Sequence, residues 1–134
     1  MIDYVDTSFW IAILSTRDQW HRAAILLLQS LSPLDRLVTS EFVLIELLNY
    51  FSERGPQYRR PVAEHVRQLE ADLKIQIVPL SHELYSMGIK RFERSYDKGW
   101  SITDCTSFIL MEDMGIHHAL AFDDHFRQAG FQVM

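Results

Sequence analysis

The chain is poor in residues that staple or punctuate a fold, with one cysteine, five glycines and four prolines among 134 residues. The lone cysteine, Cys105, can close no internal disulfide, so a packed core must do the work of cross-links. Scarce Gly and Pro beside 48% hydrophobic residues exclude collagen-like, low-complexity and disordered chains. There is no apolar run of 18 residues to form a membrane-spanning helix. The opening Met1-Ile2-Asp3-Tyr4-Val5-Asp6 lacks the basic start and apolar stretch of a secretory signal. The expectation is one domain over residues 1–134, in the cytoplasm, burying roughly 68% of the surface its unfolded chain exposes.

Positive charge is scarce too. The 13 Lys and Arg face 18 acids, a net charge of −5, which argues against a surface uniformly basic for gripping nucleic acid. Several cations nevertheless gather in two clusters, Arg54/Arg59/Arg60 and Lys90/Arg91/Arg94/Lys98.

What is present alternates between short β-favouring runs and helical periodicity. Ile2 to Val5 reads as a buried strand ending at a helix start, Asp6-Thr7-Ser8. Gln19 to Leu31 carries Trp20, Ala23, Ala24, Leu27 and Leu31 at helical intervals. Leu37-Val38-Thr39 is a second strand, followed by a helix over Ser40 to Phe51, a turn at Arg54-Gly55-Pro56 and a helix over Arg60 to Leu73 with Val62, Val66, Leu69 and Leu73 on one stripe. Ile75 to Val78 is a third strand. Ser81 opens the next helix, with Tyr85, Ile89, Phe92 and Tyr96 expected inward and Lys90, Arg91 and Arg94 outward. Thr103 to Met114 is a helix stopped by Gly115, Ala119 to Phe122 a fourth strand, Asp123 to Gln128 a short helix and Phe131 to Val133 a last strand. This alternation predicts an α/β sandwich on a mostly parallel sheet of about five strands.

Ligands in such sheets collect beyond the carboxyl ends of the strands. Asp6 ends the first strand there, and Asp123 and Asp124 end the fourth. Asp104 opens the penultimate helix, and Glu46 lies within the helix after the second strand among Phe42, Val43, Leu47 and Tyr50. Helix capping alone accounts for Asp6 and Asp123, and Ser101-Ile102-Thr103-Asp104 fits a capping box. Glu46 has no such explanation; on a largely apolar face it is expected to be buried and in need of a partner. Two carboxylates about 4 Å apart repel by about 1 kcal/mol in water and about 4 kcal/mol at an effective dielectric near 20, so a converging set requires a cation. Oxygen ligands without Cys or a matched His pair favour Mg²⁺ or Mn²⁺ over Zn²⁺.

These segments resemble the PIN-domain family, and within it the small VapC-type toxins of bacterial toxin-antitoxin pairs. The resemblance is carried by Val5-Asp6-Thr7-Ser8, Ser40-Glu41-Phe42-Val43-Leu44-Ile45-Glu46, Ser101-Ile102-Thr103-Asp104-Cys105 and Ala121-Phe122-Asp123-Asp124-His125-Phe126. It spans nearly the whole chain and implies a three-layer PIN-like α/β/α sandwich acting as a metal-dependent endoribonuclease. Asp6, Glu46, Asp104 and Asp123 would hold one or two Mg²⁺ or Mn²⁺ ions and carry the catalysis. Thr7 or Ser8 would orient Asp6 or a water, Thr103 and Asp124 would act nearby, and Ala121 stands where the family often has a hydroxyl residue. RNA, an antitoxin protein and a second copy of the chain would be its partners.

Two readings from other classes compete: a catalytically silent nucleic-acid or protein-binding module that keeps the acids for folding, and a Mg²⁺-binding receiver-like signalling domain. The second lacks the expected Lys near the end of the fourth strand. Among other residues, Cys105 is expected buried and inert. Trp10 and Trp20 read as core, whereas Trp100, with Lys90, Arg91, Arg94 and Lys98, is the candidate contact to RNA. His125, the histidine nearest the proposed site, is weighed as a substrate contact and expected exposed on the short last helix. Leu44, Leu47, Leu48 and Tyr50 give the hairpin of Ser40 to Leu73 more apolar surface than one core contact needs, which points to a partner.

Overall fold

The computed structural model describes residues 1–134. Five strands, β1 (Ile2–Val5), β2 (Arg36–Ser40), β3 (Ile75–Val78), β4 (His118–Leu120) and β5 (Gln132–Val133), form one sheet in the order β3-β2-β1-β4-β5. Every pairing is parallel. Parallel sheets are covered on both faces, and Tyr4, Val5, Val38, Ala119 and Leu120 from the three central strands are all buried.

The crossovers hold α1 (Thr7–Leu14) and α2 (His21–Ser30), then α3 (Glu41–Ser52) and α4 (Arg59–Ala71) joined through a 3-10 turn, Pro56–Tyr58. The remaining crossovers hold α5 (His82–Arg94) and α6 (Ile102–Met114), then α7 (His125–Gln128). Right-handed connections in this strand order put α1 to α4 on one face of the sheet and α5 to α7 on the other, an α/β/α sandwich. The chain reverses its direction of travel across the sheet between β1 and β4, which opens a crevice at the carboxyl ends of those two strands. Receiver-like domains follow the order 2-1-3-4-5 instead, so the signalling reading is set aside.

Local chemistry fixes the ends of these helices. Ser40, Ser81 and Ser101 accept from the backbone N–H groups of Val43, Leu84 and Asp104 at 3.2, 3.0 and 3.0 Å. Gly115 ends α6 at φ 66°, a left-handed position that favours glycine.

Three expectations about burial are corrected. Trp20 precedes α2 and is 43% exposed, not core; α2 buries only Ala24. Leu73 lies beyond the end of α4 and is exposed. The inner face of α5 is turned by about one residue, roughly 100°: Tyr85, Ile89, Phe92 and Tyr96 are exposed, Leu84 and Gly88 are buried and Arg91 turns inward, while Lys90 and Arg94 are exposed as expected. Both sets lie at helical spacing. Close approach to α6 selects the line with the smallest residue, since a Cβ on Gly88 would lie 2.6 Å from the Cγ2 of Thr106.

Candidate active site

Four segments distant in sequence meet at the crevice. Asp6 follows β1 and caps α1, Glu46 lies in the second turn of α3, Asp104 in the first turn of α6, and Asp123 in the turn between β4 and α7. All four line one cleft of about 330 Å³, together with Thr7, Ser8, Tyr50, Ser101 and His125.

The three aspartates share a pattern. Oδ2 of Asp6 accepts from the backbone N–H of Ser8 at 3.2 Å and from its hydroxyl at 2.7 Å. Oδ2 of Asp104 accepts from the backbone N–H of Ser101 at 3.0 Å, the reciprocal half of the capping box, and lies 2.8 Å from Nδ1 of His125. Oδ1 of Asp123 accepts from the backbone N–H of His125 at 3.0 Å. Each side chain thus fastens one oxygen to the scaffold, leaving the other without a protein partner. Capping and cation binding are therefore compatible uses of one residue. Ser8 extends the scaffold, its hydroxyl accepting from the backbone N–H of Phe122 at 3.0 Å and so tying α1 to the end of β4.

Electrostatics show what this convergence costs. Burial raises the pKa of Asp6 well above the usual carboxylate range, and the charges of Asp123 and Asp104 raise it further against the lowering effect of Ser8. Burial also raises Asp104, opposed by the Ser101 N–H and by His125. Beneath them, the buried Tyr4 hydroxyl, 2.7 Å from Ser107 Oγ, is pushed upward chiefly by desolvation. No Lys or Arg forms an ion pair with any of the four acids. Thr7 Oγ1, buried and lining the cleft, has no hydrogen-bond partner. Unpaired oxygens of this kind fit a hard divalent cation.

Other predicted positions separate from the cleft. Glu46 is half-exposed on its wall and not buried, because α3 turns its Leu44 and Leu47 into the core instead. Thr103 is buried and does not line the cleft; its carbonyl accepts from Thr106 Oγ1 at 2.9 Å. Asp124 points away and pairs with Arg127 at 3.3 Å. Ala121 is buried. Lys90, Arg91, Arg94, Lys98 and Trp100 do not line the cleft. Arg91 is bound to Glu112 at 2.6 and 2.9 Å and lies over the Phe108 ring. Lys98 pairs with Asp97. Trp100 packs edge-on against Phe108 and donates from Nε1 to Gln128 at 3.0 Å.

Sequence reasoning put His125 near the site but expected it exposed; it is half-buried and joins Asp104 and Asp123 in a set whose ligand atoms lie within 4.8 Å of one another. Its spacing, two residues after Asp123, was the available signal. Cys105 is buried, and desolvation raises its thiol pKa, as expected for an inert cysteine.

Residues 4–132 match the model of the PIN domain. The chain belongs to the PIN-domain family. This PIN domain is 34% identical over 130 residues to the 23S rRNA-specific endonuclease VapC20 of Mycobacterium tuberculosis, covering 96% of this chain and 94% of that protein. The crystal structure of M. tuberculosis VapC20, described as a sarcin-ricin loop cleaving toxin, superposes with a TM-score of 0.84 at 30% identity, covering 98% of this chain and 96% of that one. VapBC2 of Rickettsia felis, bound to a promoter DNA fragment, shares the fold at a TM-score of 0.70 and 12% identity, covering 100% of this PIN domain and 98% of that chain.

Proposed function

We propose that this PIN domain is a metal-dependent endoribonuclease that hydrolyses RNA phosphodiester bonds, the toxin of a type II toxin-antitoxin pair. The observation that carries the reading is the meeting of four acids from four elements in one cleft, each aspartate with a free oxygen and none with a Lys or Arg counter-charge. Likeness to a named endonuclease over nearly the full length supports it.

In this reading Asp6, Asp104 and Asp123 hold Mg²⁺ or Mn²⁺ through their free oxygens, and Glu46 faces them from the wall on α3. The ion, when bound, acidifies water and offsets negative charge on phosphate. The remaining work belongs to the protein. Ser8 fixes Asp6, and Ser101 with His125 fixes Asp104, so the donor oxygens are already oriented when the substrate arrives. No nucleophilic side chain is needed, and the inert Cys105 supplies none.

An antitoxin and a second copy of the chain are the proposed partners. Exposed Ile45 and Leu48 on α3, with the exposed stripe of α5, give them apolar surface.

The test is end-sequencing of cellular RNA after brief expression of wild type and of Asp104→Asn. New ends of defined position are expected with wild type only, and purified protein should lose cleavage in EDTA and regain it with Mn²⁺. Equal cleavage by a folded Asp104→Asn protein would reject the site assignment, whereas no cleavage by wild type would leave the silent binding module standing.

A further inference from the structure

Trp20 is 43% exposed, yet both its backbone and its ring are engaged. Its backbone N–H donates to Asp18 Oδ1 at 2.8 Å, and its carbonyl accepts from Ala24 at 2.9 Å to begin α2. The indole stacks on Phe122 with centroids 5.2 Å apart and planes 3° from parallel. Phe122 in turn stacks on the buried Phe9 at 6.0 Å and 10°. Trp20 is therefore the solvent-side ring of a three-ring column rooted in the core.

The column does not line the cleft but is joined to two residues that do. Phe122 adjoins Asp123 in the chain, and its N–H bonds to the Ser8 hydroxyl that donates to Asp6. On either side of Trp20 in sequence, Arg17 and Arg22 are exposed and form no ion pair. The cleft floor is acidic, Arg91 of α5 is paired with Glu112 and Lys98 beyond it with Asp97, and none of these cations lines the cleft. An aromatic face with unpaired guanidinium groups close by in the chain can take RNA, because bases stack on the one and phosphates pair with the others.

Resting on the nuclease reading above, we propose that Trp20, with Arg17 and Arg22, forms a platform that stacks an unpaired base of the RNA next to the scissile phosphate. Trp20 is thus a substrate-binding residue that sets how the strand enters the acidic cleft.

The probe is a 12-nucleotide single-stranded RNA carrying 2-aminopurine, titrated with the protein in Ca²⁺. Wild type is expected to quench the 2-aminopurine fluorescence. Trp20→Leu should bind about 5- to 150-fold more weakly, the range of one lost stacking contact, and should not quench. Trp20→Phe, which keeps an aromatic face, should retain most of the affinity and guards against a fold defect in the Leu variant. Arg17→Gln and Arg22→Gln should each flatten the slope of log affinity against log salt by about 0.7. Equal binding and quenching by wild type and a folded Trp20→Leu variant would overturn the platform while leaving metal-dependent cleavage intact. The platform is likewise overturned if Trp20→Leu loses only binding to a protein partner. Absence of any cleavage by wild type in Mg²⁺ or Mn²⁺ would instead sink the nuclease reading on which the platform rests.

Discussion

Each aspartate of the cleft caps or braces a turn with one oxygen and offers the other outward, so removing its charge need not remove its structural bond. Asp6→Asn keeps an acceptor for Ser8 and relieves repulsion from Asp104 and Asp123. The metal-free variant should be inactive yet more stable than wild type, by on the order of 1 kcal/mol or about 4 °C in Tm, measured by thermal melting in EDTA. The pH dependence has a definite sign. Asp6 and Asp104 have raised folded-state pKa values, so in the window above about 3.9, the unfolded reference, the folded state binds more protons. Metal-free wild type should gain stability as pH falls from neutral toward that value, and Asp6→Asn should gain less. His65 works in the opposite direction, since burial lowers its pKa and makes acid destabilising below about 6.5. Subtracting the variant's curve from wild type's isolates the acids. These residues were legible in the sequence because strand ends announce themselves. The half-exposure of Glu46 was not, since periodicity cannot say which side of α3 packs.

Helix α5 shows why element boundaries were easier to read than element faces. Its start at Ser81 follows from local capping chemistry, but its buried side depends on how near α6 can come. Reading the longest apolar stripe as the inner one placed Tyr85, Ile89, Phe92 and Tyr96 wrongly, because Gly88 permits the neighbouring line of residues to close on Thr106. Trp20 was misplaced in the core for a similar reason: apolar neighbours in sequence do not establish contact in space. Gly88→Ala probes the α5–α6 contact directly. Helix propensity alone would favour Ala by about 1 kcal/mol. The added methyl, however, meets Thr106, whose hydroxyl is bonded to Ile102 and Thr103, and overpacking costs about 1–3 kcal/mol. Net destabilisation is expected in chemical denaturation, with recovery in the Gly88→Ala/Thr106→Ser double variant. Stabilisation by Gly88→Ala alone would show that the two helices pack more loosely than described.

For the molecule as a whole, repulsion in the cleft couples metal capture to folding. Mn²⁺ at a hundred times its dissociation constant should stabilise wild type by about 2.7 kcal/mol, and Asp104→Asn by much less, read as the rise in Tm over EDTA. The parallel sheet and its crossovers were foreseeable from the alternation of strands and helices. The strand order was not, because a short apolar run does not say which neighbour it will pair with. That order has a temporal consequence. β4 inserts beside β1 and carries behind it Asp123, 117 residues after Asp6 (123 − 6). A nascent polypeptide on the ribosome therefore lacks one wall of the acidic cleft until β4 and the turn behind it have emerged, however early the other walls form.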